Sequence, residues 1–89
     1  MTYWYGRIFD LSTGGVMIFM RKLRSQGQTR AFTVQRDLEG WAAREEENNH
    51  TVKVVHCHDW HQVERLMALF ELKAFELQQD GWREVSLAD

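Results

Sequence analysis

The stretch from Asp59 to Gly81 constrains this chain more than any other. Asp59 is a good N-cap, and Gln62 three residues on completes a capping-box pattern. Val63, Leu66, Met67, Phe70, Ala74 and Leu77 then recur at helical spacing on one face. Asp80-Gly81 supplies the stop, with Gly81 placed to take the left-handed conformation after the last turn. No other segment is both long and periodic enough to be a helix. The residues before it read as strands, so the spacing predicts one helix lying as a lid on one face of a sheet.

Those strands are punctuated by turn residues. Residues 2–9 and 16–23 are rich in aromatic and β-branched side chains and are joined through Leu11-Ser12-Thr13-Gly14-Gly15. Ser25-Gln26-Gly27-Gln28 marks a turn, followed by a strand over Thr29–Arg36. Asp37-Leu38-Glu39-Gly40 leads into Trp41–Glu46, and Asn48-Asn49 tolerates the positive φ of a hairpin before Thr51–His58. The apolar alternation changes phase between Val52/Val54 and Val55/Cys57, which predicts a bulge near Val54-Val55 or burial of both faces. Both faces of the first two strands are largely apolar, so their far face is expected to be covered or to meet a partner. The expected fold is a single α+β domain over residues 1–89: an antiparallel meander of four to five strands packed against one long C-terminal helix.

At 89 residues the chain holds one domain, and its 44% hydrophobic content with four Trp suffices for a core. A single cysteine, Cys57, leaves no intrachain disulfide and suits a reducing compartment. The first residues carry no basic-then-apolar leader, and no apolar run approaches a membrane span. A cytoplasmic location is expected. The formal net charge of −2 conceals an asymmetry: residues 1–44 carry seven basic against three acidic residues, and residues 45–89 four against ten. A dipolar surface is one expectation, and a merely solubilising distribution the other.

Enzymatic signatures are missing. There is no GxGxxG, P-loop or GxSxG elbow, and Glu45-Glu46-Glu47 reads as a solvated edge beside a turn. No catalytic residue and no cofactor is expected. His56, His58 and His61, with His50, are the candidates for a metal, but zinc needs three or four ligands at one point and no CxxC or HExxH spacing supports it. Cys57 and its histidine neighbours alternate across a strand, which spoils the hydrogen bond a thiol nucleophile requires.

Two surface features point to binding. Arg21, Lys22, Arg24, Arg30 and Arg36 surround the second turn, with Tyr3 and Tyr5 nearby in the sequence of strands. Basic side chains contact phosphates and exposed rings stack on bases, although the same set suits an acidic protein. Leu69, Leu72 and Phe75 fall outside the main apolar stripe of the helix. They form a dimer or partner surface, or lie beneath the Trp82–Leu87 segment.

Residues 32–82 resemble a WGR domain, the small module found in poly(ADP-ribose) polymerases and bacterial proteins. The matching pieces are Phe32-Thr33-Val34-Gln35-Arg36-Asp37-Leu38-Glu39-Gly40-Trp41, the strand ending at Cys57, and the helix from Asp59 to Gly81-Trp82. Where the Trp-Gly-Arg signature should follow, this chain has Arg44-Glu45-Glu46-Glu47. WGR domains bind nucleic acid ends or mediate protein contacts, but their DNA role relies on residues absent here, so the resemblance implies only the fold and a non-catalytic module. The expected function is an accessory or regulatory binding module for nucleic acid, or for a protein that handles it. The alternative is a small inhibitor or adaptor that docks on a protein, as short phage and bacterial proteins do, or acts through a homodimer.

Overall fold

The computed structural model describes residues 15–85. The strand expected over 2–9 lies outside the described residues, as do Tyr3, Tyr5 and Leu87. Four long strands follow one another: β1 (Val16–Ser25), β2 (Gln28–Asp37), β3 (Gly40–Glu47) and β4 (His50–Cys57). Helix α1 (Trp60–Gln79) comes next, and a short strand β5 (Arg83–Glu84) closes the described chain. All pairings are antiparallel, and the five-stranded sheet has the order β4-β3-β2-β1-β5. The expected α+β meander with one C-terminal helix is what forms.

The hairpins are set by local chemistry. Gln26 (φ 51°) and Gly27 (φ 80°) both adopt positive φ, as do Asn48 (53°) and Asn49 (69°). Two consecutive positive-φ residues give the turn whose twist matches that of its flanking strands. Between β2 and β3, Asp37 Oδ1 accepts from the Glu39 N–H at 2.9 Å, folding the side chain over its own turn.

Both ends of α1 are capped. Asp59 is extended (φ −135°, ψ 132°), and its Oδ1 accepts from the His61 N–H at 3.1 Å. Gln62 reaches back to the His58 N–H at 3.4 Å, one residue before the donor that a capping box would use. At the other end Gly81 (φ 97°) is left-handed. Its N–H donates to Gln78 O at 3.1 Å, and the Trp82 N–H donates to Leu77 O at 3.0 Å. This pair of bonds is the Schellman motif, and it satisfies carbonyls that the last turn would otherwise leave bare.

The core lies between α1 and one face of the sheet. Phe32, Val34, Leu23, Ala43 and Cys57 from the strands meet Val63, Phe70 and Ala74 from the helix. The expected helix face is the one that packs, with Leu66, Met67 and Leu77 half-buried at its margins. Phe70 is the largest helical side chain in that core, although Val63 and Ala74 are slightly more enclosed. Its ring lies 5.3 Å from that of Phe32 and 6.1 Å from that of Phe19, centroid to centroid.

Two irregularities decide which way side chains point. The β1–β2 register shifts between Met17 and Phe19, so Ile18 is an extra residue and Phe19 turns toward the helix opposite Val34. The β3–β4 register shifts between Glu45 and Glu46, which makes Val52 the extra residue. The expected bulge thus exists but sits two residues before Val54-Val55. It leaves Val55 and Cys57 facing the helix and Val54 facing away, which accounts for the change of phase.

Ion pairs fasten the helix along both flanks. On the β1 side Arg21 binds Glu71 of the helix and Glu84 of β5 together, its Nη2 donating to Glu84 Oε1 at 2.9 Å. On the β3 side Lys73 Nζ donates to Glu45 Oε2 at 2.8 Å. Glu45 is buried, not part of a solvated acidic edge as its neighbours suggested. Alternation explains it: Trp41, Ala43 and Glu45 share one face of β3, and that face lies under the helix.

Candidate functional site

The five basic residues singled out in the sequence do not share a surface. Arg21 and Arg30 face the helix side, since their ladder partners Phe32 and Leu23 are core residues. Arg21 is held by two carboxylates. The Glu84 hydrogen bond is the chief cause that raises its already high pKa, against a smaller opposing effect of burial. Arg30 Nη2 lies 3.9 Å from Glu47 Oε2, and its guanidinium sits 5.7 Å from the Phe32 ring centroid. Arg36 is exposed and pairs in register with Trp41, again on the helix side.

Lys22 and Arg24 are the remaining two, and they project from the opposite face because Leu23 between them is buried. Here the structure adds a residue that the sequence reading passed over. Strand β5 pairs with β1 so that Arg83 stands directly across from Arg24, on the same face. The Val85 N–H donates to Lys22 O at 2.8 Å, extending the ladder beside Lys22. Lys22, Arg24 and Arg83 thus form a compact basic edge, and none has an ion-pair partner among the described residues. A hollow of about 690 Å³ opens beside them between the Gln26-Gly27 turn and the helix C-terminus. Ser25, Gln26, Asp80 and Glu84 line it as well, and Glu84 is already bound to Arg21.

The far face of the sheet beyond this edge is built from small side chains. Ala31, Thr33 and Ala42 are buried there. Arg44, in register with Thr33, donates from Nη1 to Gln35 Oε1 at 3.2 Å and so lies diagonally across them. A Cβ on Gly15 would stand 2.1 Å from Gln35 Nε2, so the chain passes close to that amide as β1 begins.

The histidines are not brought together. His56 faces away from the helix opposite Ala42, and His58 Nδ1 lies 3.2 Å from Glu39 O. His61 Nδ1 is 3.6 Å from Glu64 Oε1 on the exposed side of α1, and His50 is at the other end of β4. Among the described residues no three His, Cys, Asp or Glu side chains converge on a point that could hold a metal ion.

Cys57 is enclosed in the core, and burial pushes its thiol pKa above the ordinary value because the thiolate is poorly solvated there. The unfolded state loses the thiol proton first as pH rises, so this contribution is complete below the ordinary thiol pKa and disappears as pH climbs through the raised folded value. Native Cys57 should therefore react with iodoacetamide far more slowly than the denatured chain at the same pH. Equal rates in the two states would show the thiol to be accessible.

Leu69, Leu72 and Phe75 are exposed on the helix back, at 39%, 52% and 55% of their surface. The tail does not cover them as far as it is described. Trp82 packs against the core, and Arg83–Val85 lies along β1.

These features define a small α+β domain, a five-stranded antiparallel meander under one helix, with a basic edge on one side and an apolar helix back on the other. No helix among the described residues is long and apolar enough to cross a membrane. No family model, curated protein or solved structure matches the chain.

Proposed function

We propose that this domain is a non-catalytic binding module that contacts the phosphate backbone of nucleic acid through Lys22, Arg24 and Arg83. The observation that carries the reading is the Arg24–Arg83 cross-strand pair. Like charges directly opposite one another destabilise a ladder. An anion bound between them removes that cost, so the edge binds anions more strongly than two isolated arginines would. Guanidinium groups suit phosphate oxygens because their planar forks donate in pairs. Ser25 and Gln26 add neutral donors beside them.

The test is anisotropy with labelled single-stranded and duplex oligonucleotides over a range of salt. Three duplex phosphate contacts give a slope of about −2.7 in log K against log salt. Reversing Arg24 and Arg83 together, Arg24→Glu with Arg83→Glu, should abolish binding and leave the melting temperature nearly unchanged. Arg83→Glu alone should weaken binding while raising stability slightly, because it places opposite charges across the ladder. Arg21 is a poor probe, since removing it unfastens both α1 and β5. Absence of binding to any oligonucleotide at low salt overturns the reading. Binding to polyglutamate through the same residues, without oligonucleotide binding, would assign the edge to an acidic protein instead.

A further inference from the structure

The back of α1 is a seam, and we infer that it pairs with the same seam of a second copy of this chain in antiparallel orientation. His61, Arg65, Ala68, Leu72, Phe75 and Gln79 recur at alternating steps of four and three residues. That spacing places them in one line along a helix, the spacing that two packed helices share. The line lies opposite the buried face of Val63, Phe70 and Ala74, and all six residues are exposed. Leu69 flanks it on one side and is exposed as well. A seam with apolar residues at its centre and polar ones at both ends is what a 20-residue helix needs to meet one partner over about 30 Å.

The occupant follows from charge and size. Place the two-fold axis beside Phe70, midway along the seam. Ala68 of one copy then faces Leu72 of the other, a small side chain against a large one. Arg65 falls beside Phe75 and Glu76 of the opposite copy. Arg65 is the only basic residue on this line, and Glu76 lies next to it on the same side of the helix. The antiparallel arrangement brings the two together twice by symmetry, whereas a parallel one sets Arg65 against Arg65 and Glu76 against Glu76. The other charges that border the seam are largely engaged within the chain. Glu71 is bound to Arg21, and Lys73 to Glu45. The basic edge of Lys22, Arg24 and Arg83 projects from the opposite face of the sheet, so pairing along α1 leaves it free.

Sedimentation equilibrium on the whole chain across a wide concentration range tests this. The expected mass is twice 10.6 kDa at the higher concentrations. Leu72→Glu should give a monomer with an unchanged fold by circular dichroism. Arg65→Glu or Glu76→Arg alone should raise the dimer dissociation constant at least about tenfold, and the two together should restore it. Should Leu72→Glu misfold, the charge pair still decides, because both of its members are exposed. A monomer at every concentration overturns the inference. So does a dimer indifferent to the charge exchange, which would point to another surface such as the β4 edge.

Discussion

Phe70→Ala should lower the stability of this domain by about 3–5 kcal/mol, the range for removing a large aromatic side chain from a packed core. The ring is 2% exposed and lies against Phe32 and Phe19, so its loss leaves a void lined by rings that cannot collapse into it. Small domains have total stabilities of roughly 5–15 kcal/mol, so this one change removes a large share. The melting temperature should fall by at least about 12 °C, and in the least stable case the variant is unfolded at room temperature. Leu72→Ala, two residues further on the same helix, is the control. At concentrations low enough for the chain to be monomeric, it faces solvent and should move the melting temperature by a small fraction of that amount. Equal effects from the two substitutions would mean that the helix presents a different face to the sheet.

The contrast between those residues is legible in the sequence, because helix period and caps are local properties. Asp59, the Val63-to-Leu77 stripe and Gly81 each act within one or two turns, and all three do what their chemistry dictates. The hairpin turns were legible for the same reason. Gln26-Gly27 and Asn48-Asn49 accept positive φ whatever surrounds them.

What escaped depends on the third dimension. The position of a bulge is decided by how twisted strands settle against the helix, so the extra residue is Val52 where the apolar phase alone suggested Val54-Val55. A two-residue strand carries no periodicity, and only docking on β1 makes Arg83 the neighbour of Arg24. Other misses had a signal in the sequence. Strand alternation already separates Arg21 from Lys22 and Arg24, because successive side chains point to opposite faces. The same rule sets Glu45 beside Trp41 and Ala43, and so marks it as a buried acid in need of Lys73. Grouping residues by charge alone hid both facts. The candidate site was therefore half legible: Lys22 and Arg24 were named, Arg83 was not, and Arg21 and Arg30 serve the fold.

Gly40→Ala should cost about 3 kcal/mol or more, although it adds one methyl group at a turn. Two effects combine at this position. Gly40 has φ +139°, a conformation that residues with a side chain rarely adopt and that costs about 1–3 kcal/mol when they are forced into it. A Cβ here would also stand 2.3 Å from the Cys57 carbonyl oxygen, with the Cys57 carbonyl carbon at 3.4 Å and His58 Cα at 3.5 Å. All three atoms belong to the backbone, so no rotamer change can make room. Relief requires the Leu38-Glu39 turn to move away from the end of β4, where Glu39 O lies 3.2 Å from His58 Nδ1. That motion would also part Trp41 from Trp60, whose rings lie 5.6 Å apart at the start of the helix. Melting curves together with tryptophan fluorescence would follow both consequences. Gly27→Ala and Gly81→Ala separate the two causes, since both positions have positive φ and nothing within 4 Å of the added methyl. They should cost roughly 1 kcal/mol each, the conformational part alone. If Gly40→Ala is no worse than these, the close approach of β3 to Cys57 is not a constraint on the fold.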